Sequence, residues 1–246
     1  MDKIILEINN ISTYYKKFSV CNVTFSLKQG DILGLVGRSG SGKSTIINTV
    51  IGLKQPKEGD ITLTINGQKV DLKDHLGYSP QENSLYPLLT IEENLKIFGK
   101  LQKVSGKDVE MRSRELLKIL DLESARKKRI IELSGGMKKR ADLAVTLINN
   151  PKIIILDEPF TGLDISLQSF IWNFLIRLSK EGKIIIISSH LLSDIQRYCN
   201  HFGLVHDGRY YDTYQIALNL KRTKEQSLER FLQRLFNYEL NEELMK

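Results

Sequence analysis

The chain has no long hydrophobic run. Among its 246 residues the longest purely apolar pieces are the four-residue stretches Ile153–Leu156 and Ile184–Ile187, whereas a membrane-spanning helix needs roughly 20 apolar residues. A polytopic membrane protein is therefore excluded. Cysteine is scarce too: Cys21 and Cys199 form neither a CxxC pair nor a metal spacing, which leaves two reduced structural thiols as the expectation. Internal repeats, low-complexity tracts and proline-rich linkers are missing, and so is the N-K-x-D motif of guanine-nucleotide proteins. The N-terminus MDKIILEINN lacks the apolar region and small-residue cleavage site of a secretory signal, so a cytoplasmic location is expected.

What is present is enough apolar residue, 41%, for a sizeable core in one large domain or two lobes of one domain. The net charge of +7 is unevenly placed. Between Lys100 and Arg140 there are 13 basic and 6 acidic residues, so this segment alone accounts for the whole excess. It includes Arg126–Arg129, RKKR, whose simplest reading is a solvated helical surface. Of the four histidines, His75, His201 and His206 carry no context beyond a structural one.

The pattern of periodicity divides the chain. The first ~80 residues read as a sheet-rich lobe of short strands, ILEI, VTFSL, DILGLV and DITLTI, with an Asn66-Gly67 turn. From Thr90 a capping box, Thr90-x-x-Glu93, opens a helical pattern, and Val109, Leu116, Leu117 and Leu120 share a helical face. This predicts a helical insertion over about 88–150. KIIILDEP and GKIIIISSH then return as continuous apolar runs, the signature of buried parallel strands. A strand with an Asp207-Gly208 turn follows, and residues 221–246 read as an amphipathic helical tail with Leu228, Phe231, Leu232, Leu235 and Phe236 on one face. The expected class is α/β: a P-loop NTPase core (RecA-like), an antiparallel β subdomain, and an inserted α-helical subdomain.

Two constellations carry chemistry. Gly37–Thr45, GRSGSGKST, follows an apolar strand and precedes a helical stretch, which is the G-x-x-x-x-G-K-[ST] phosphate loop in its proper setting. Gly37, Arg38, Ser39, Gly40, Ser41, Gly42 and Thr45 frame a loop whose N–H groups face phosphate. Lys43 supplies charge to it, and Ser44 offers a hydroxyl to Mg²⁺. IIILDEP ends a buried strand in two acids, of which Asp157 suits the Mg²⁺ shell and Glu158 suits polarisation of an attacking water. A third stretch, LSGGMKKR, places Ser134 as a helix cap before Gly135 and Gly136, and exposed N–H groups at a helix N-terminus suit an anion.

The phosphate loop, SPQ ending in Gln81, LSGGM at Leu133, IIILDEP at Ile153, TGLD at Thr161 and SSH ending in His190 occur in this order. Over residues 1–220 the chain resembles the ATP-binding cassette (ABC) ATPases. The resemblance implies that ATP and Mg²⁺ are bound, and that Gln81 senses Mg²⁺ and the attacking water while His190 contacts the γ-phosphate. It also implies that Tyr15, with Tyr14 as its rival, stacks on adenine. Ser134, Gly135 and Gly136, in what the resemblance makes the family's signature loop, would bind the γ-phosphate of ATP held by a second cassette, and Asp164 would bridge the dimer. A homodimer docked on a separate transmembrane permease, peripheral on the inner face of the cell membrane, is the implied assembly. Residues 82–95 would face that permease. Met137 in place of the common Gln, and the LYPLL stretch after Gln81, resemble exporter cassettes; Phe160 stands where Thr or Ser is commoner. A soluble cassette acting on ribosomes or nucleic acid is the alternative, for which the extra domains such proteins carry are missing, and no nucleic-acid partner is expected.

Overall fold

The computed structural model describes residues 2–16, 18–190 and 192–223. The strands are β1 (Ile4–Tyr14), β2 (Ser19–Lys28), β3 (Ile32–Val36), β4 (Glu58–Ile65), β5 (Gln68–Val70), β6 (Leu76–Ser79), β7 (Ile153–Leu156), β8 (Ile184–Ser189), β9 (His201–His206) and β10 (Arg209–Tyr211). The helices are α1 (Lys43–Val50), α2 (Ile91–Leu101), α3 (Gly106–Ile119), α4 (Gly135–Thr146), α5 (Ile165–Lys180), α6 (Leu192–Tyr198) and α7 (Thr213–Thr223). The apolar stripe from Leu228 to Phe236 lies outside the described residues.

The strands form one sheet in the order β5-β4-β1-β2-β10-β9-β3-β8-β7-β6. Its two ends follow two sequence rules. β1 alternates between buried and accessible residues over Ile4–Glu7 and pairs antiparallel with β2 and β4, as a half-exposed meander should. The Asn66-Gly67 pair joins β4 to β5 with positive φ at both residues, 52° and 82°, the turn that a two-residue hairpin requires. β3, β7 and β8 are buried at every residue and run parallel to one another, with β9 and β6 parallel outside them.

The strands of the sheet-rich first ~80 residues divide between the two parts of the sheet. β3 lies between β9 and β8 among the parallel strands, because ILGLV has no polar side to turn to solvent. β6 was not legible as a strand, since it is four residues long, contains Gly77 and pairs only at the sheet edge.

Burial on both faces divides the isoleucine runs between two cores. Ile153, Ile155, Ile184 and Ile186 pack with Ile46, Ile47 and Val50 of α1 on one side. Ile154, Leu156, Ile185 and Ile187 pack with Trp172 and Leu175 of α5 and Ala144 of α4 on the other. Each such side chain contributes about 1.5–3 kcal/mol by leaving water. Helices α2, α3 and α4 build the inserted layer. The Thr90 capping box is present, with Thr90 Oγ1 accepting from Glu93 N and Glu93 Oε2 accepting from Thr90 N. Val109, Leu117 and Leu120 are buried there, and Leu116 packs partly against them. Arg126–Arg129 are all exposed, but they lie in a connection between two 3₁₀ turns rather than on a helix.

Candidate functional site

The loop from Gly37 to Gly42 leaves the C-terminal end of β3 and enters α1, the edge of a parallel sheet where ligands bind in open α/β folds. Gly42 holds φ 116° at the N-cap of α1, and a Cβ there would lie 2.8 Å from Val20 Cγ2. At Gly37 a Cβ would lie 2.3 Å from Val205 O. Both positions need glycine for the loop to curl. The curl buries Lys43, whose Nζ donates to Gly37 O at 2.7 Å and Arg38 O at 3.1 Å. Ser41 Oγ is buried without a hydrogen-bond partner among the described residues, and Ser41 is not part of the cleft lining. Ser44 is exposed on the cleft wall.

The two acids sit at the end of β7. Asp157 is 4% exposed; its N–H donates to Ser79 O at 2.9 Å and its Oδ1 accepts from Ser188 Oγ. Glu158 takes φ 47°, a left-handed conformation that costs of order 1 kcal/mol for a residue with a Cβ. Three contacts hold it there. Its N–H donates to Ser188 Oγ at 2.8 Å, its Oε1 lies 3.3 Å from Lys43 Nζ, and its Oε2 lies 2.9 Å from His190 Nδ1. Ser188 thus fixes both acids through one hydroxyl. Its signal in the sequence is a polar residue closing the otherwise apolar β8, two positions before His190.

Lys43, Ser44, Gln81, Glu158, Thr161 and His190 line one cleft of about 630 Å³, together with Arg38, Ser39, Gly40, Gly42, Thr45 and Phe18. The aromatic on that wall is Phe18. Tyr15 is not part of the lining; it is exposed, with Lys54 Nζ 4.8 Å from its ring centre. Tyr14 is directed to Glu58, its hydroxyl 3.4 Å from Oε1.

Ser134, Gly135, Gly136 and Asp164 do not line this cleft. Ser134 caps α4, its Oγ accepting from Met137 N at 3.3 Å. The two glycines have different reasons to be glycine. A Cβ on Gly136 would lie 2.7 Å from Leu167 Cδ2, whereas one on Gly135 would meet nothing within 4 Å. Packing within the chain explains Gly136 and leaves Gly135 bare toward solvent. Asp164 caps α5 by accepting from Leu167 N at 3.0 Å and is otherwise exposed.

The pattern of the ABC transporter family matches residues 20–161, more than half of the chain. The chain belongs to that family. Among this cassette's relatives is the Linearmycin resistance ATP-binding protein LnrL of Bacillus subtilis, 34% identical over 207 residues, covering 82% of this chain and 67% of LnrL. The Nod factor export ATP-binding protein I of Rhizobium etli is 35% identical over 208 residues, covering 83% of this chain and 66% of that one. The chain spans about two thirds of these bacterial relatives, and its match covers 32% of the ABC transporter G family member 20 of Dictyostelium discoideum. A solved ATP-binding subunit of an ABC transporter superposes with TM-score 0.81 at 29% identity over 94% of this chain and 99% of that one. A dimeric cassette in a post-hydrolysis state, bound to ADP and Pi, superposes with TM-score 0.72 at 28% identity over 84% and 98%. The cassette fold, with its P-loop α/β core, is thereby shown.

Phe160, the departure beside the acids, is 3% exposed and stacks on Trp172 at 4.6 Å, which stacks in turn on Tyr198 at 4.6 Å. The stack ties the turn after Glu158 to α5 and α6. Phe160→Ala is expected to cost about 3–5 kcal/mol, read as a lowered urea midpoint with the chain's single tryptophan as the fluorescent probe. A loss below about 1 kcal/mol would mean that the stack bears little of the packing.

Proposed function

We propose that this cassette is an ATPase that powers export through a separate permease, acting as a dimer that closes on ATP. The observation that carries the reading is the meeting of Lys43, Ser44, Gln81, Glu158 and His190, from four separate stretches of sequence, on one cleft wall. Lys43 and the loop N–H groups would hold the phosphates. Glu158 would accept a proton from the attacking water, with His190 holding the carboxylate and meeting the γ-phosphate. Tyr15 or Phe18 would stack on the base.

Among the described residues no three of His, Cys, Asp and Glu converge as a metal cage. The oxygen donors Ser44 and Gln81 on the cleft wall suit Mg²⁺, which binds through a few protein oxygens, water and substrate phosphates. Ser44 and Gln81 would contact it and Asp157 would reach it through water. The cation, when bound, neutralises charge that develops on the phosphates. The test is phosphate release by the purified chain in Mg-ATP, compared with Lys43→Ala. Equal turnover by the two would refute the site.

Export is favoured by the names of the relatives, one an export protein and one a resistance protein. No helix among the described residues is long and apolar enough to cross a membrane. The assembly proposed has the permease as another chain and this one on the membrane's inner face. The docking surface proposed is the segment after Gln81. Tyr86 and Leu88 are exposed, at 46% and 68%, an apolar pair suited to a partner. Leu85 is buried and Leu89 half-buried, so only part of LYPLL is available. Changing Tyr86 and Leu88 together to Asp is expected to lower co-purification with membranes at least about tenfold while sparing the ATPase of the isolated subunit. Full retention on membranes would remove the docking assignment. Salt-sensitive binding of RNA in its place would favour the soluble alternative.

A further inference from the structure

Helix α4 carries a buried charge that the phosphate chemistry does not use. Asp142 is fully buried, two turns beyond Ser134 on the helix that Ser134 caps, about 12 Å along the axis at 1.5 Å per residue. Its Oδ2 accepts a hydrogen bond from Ser79 Oγ at the end of β6, and its Oδ1 faces Ser84 N and Ser84 Oγ, both at 3.4 Å. The two carboxylate oxygens thus grip the chain on either side of Gln81. Ser79 O also accepts from Asp157 N at 2.9 Å, so the same anchor reaches the end of β7.

Lys139, one turn earlier on α4, lies 3.3 Å from Ser79 Oγ and 3.9 Å from Asp142 Oδ2. Burial pushes the Asp142 carboxyl up and the Lys139 ammonium down from their ordinary values, which registers the desolvation that the arrangement bears. A buried ion pair is a poor source of stability compared with apolar residues of the same shape, and its better-attested use is to fix one arrangement among several. Here the arrangement fixed is the distance between α4 and residues 79–84.

We propose that Asp142 is a positioning residue that clamps residues 79–84 to α4, so that displacement of α4 at the cassette dimer interface moves Gln81 within its own cleft. The coupling rests on the ATPase reading above. The clamp is a property of the chain alone. Only four residues separate Ser79 from Ser84, so Gln81 has little freedom to move unless one end is released. Ser79→Ala removes one arm and leaves the Ser79 O to Asp157 N bond in place. Asp142→Asn keeps the side-chain shape but presents a donor to one of the two serines.

Two measurements separate the clamp from its consequence. A nitroxide at Glu82→Cys, in a chain with Cys21 and Cys199 changed to Ser, is expected to gain mobility when Ser79→Ala or Asp142→Asn is added. An unchanged spectrum in both would overturn the clamp whether or not the chain hydrolyses ATP. The second is a double-mutant cycle on phosphate release. Asp142→Asn and Ser79→Ala are each expected to lower kcat about tenfold with the KM for ATP within about threefold, and to have almost no further effect in a Gln81→Ala background. Multiplication of the separate losses would show that Asp142 acts on the core rather than through Gln81, and would overturn the coupling. Absence of turnover in the unmodified chain would fall on the ATPase reading, with the nitroxide result still deciding the clamp.

Discussion

Glu158→Gln is expected to bind Mg-ATP at least as tightly as the unmodified chain and to release phosphate about 10²–10⁴ times more slowly, the range a general base supplies. The geometry gives both halves of this result. Glu158 Oε1 lies 3.3 Å from Lys43 Nζ, and the side chains are 12% and 7% exposed, so the carboxylate competes with phosphate for this cation. A phosphate must displace it. An amide competes less well for Lys43, while the Gly37 and Arg38 carbonyls still hold the ammonium in place.

Ser188 would still accept the residue's N–H, so the left-handed turn at φ 47° is retained. The neutral side chain cannot take a proton from water at any accessible pH, and hydrolysis alone is lost. Removing one member of a largely buried pair also lowers the stability of the protein without ATP, so ATP should raise the thermal midpoint of Glu158→Gln by more than it raises that of the parent. Rapid turnover, or a fall in ATP affinity of more than about tenfold, would take Glu158 out of the role of base.

How much of this site was legible beforehand depended on whether local sequence or distant packing sets each residue. The phosphate loop was legible because its requirements are local. Glycines must stand where Gly37 and Gly42 approach Val205 O and Val20, and a strand and a helix must flank them. The acids were legible because charge ending the run Ile153–Leu156 is hard to accommodate without a purpose. Ser188, Phe18, Ser79 and Asp142 were not. Ser188 acquires its role only because β8 lies beside β7 in register, and Asp142 only because α4 packs under the end of β6. Those are facts of sheet order and helix packing that no spacing records. β3 shows the same limit: its apolar run speaks for burial on both faces, but only strand order shows that β9 and β8 are the neighbours that bury it.

Mixed dimers of Lys43→Ala and Ser134→Arg chains are expected to recover hydrolysis that neither variant shows alone. The chain does not bring Ser134, Gly135 and Gly136 to its own Lys43 cleft. Gly135 is bare where packing gives it no reason to be, and a helix N-terminus free of side chains suits a phosphate brought from outside. The proposed site therefore takes its phosphate loop from one subunit and its signature from the other. In a Lys43→Ala homodimer both loops have lost the cation that draws the phosphates in. In a Ser134→Arg homodimer both signatures are obstructed by a long side chain, and α4 has lost its cap, at a cost of about 1 kcal/mol. A mixed dimer contains one site with both defects and one with neither. With random association half of the dimers are mixed and each keeps one of two sites, so phosphate release should return to about a quarter of the unmodified level if sites fire independently. Two distinguishable affinity tags verify that mixed dimers are present. If Lys43 and Ser134 instead served one site within a single chain, every site in the mixture would be damaged and activity would stay at the level of the separate variants. Varying the ratio of the two variants at constant total protein adds a second check, because recovery through a shared site must pass through a maximum near equal amounts and fall away on either side.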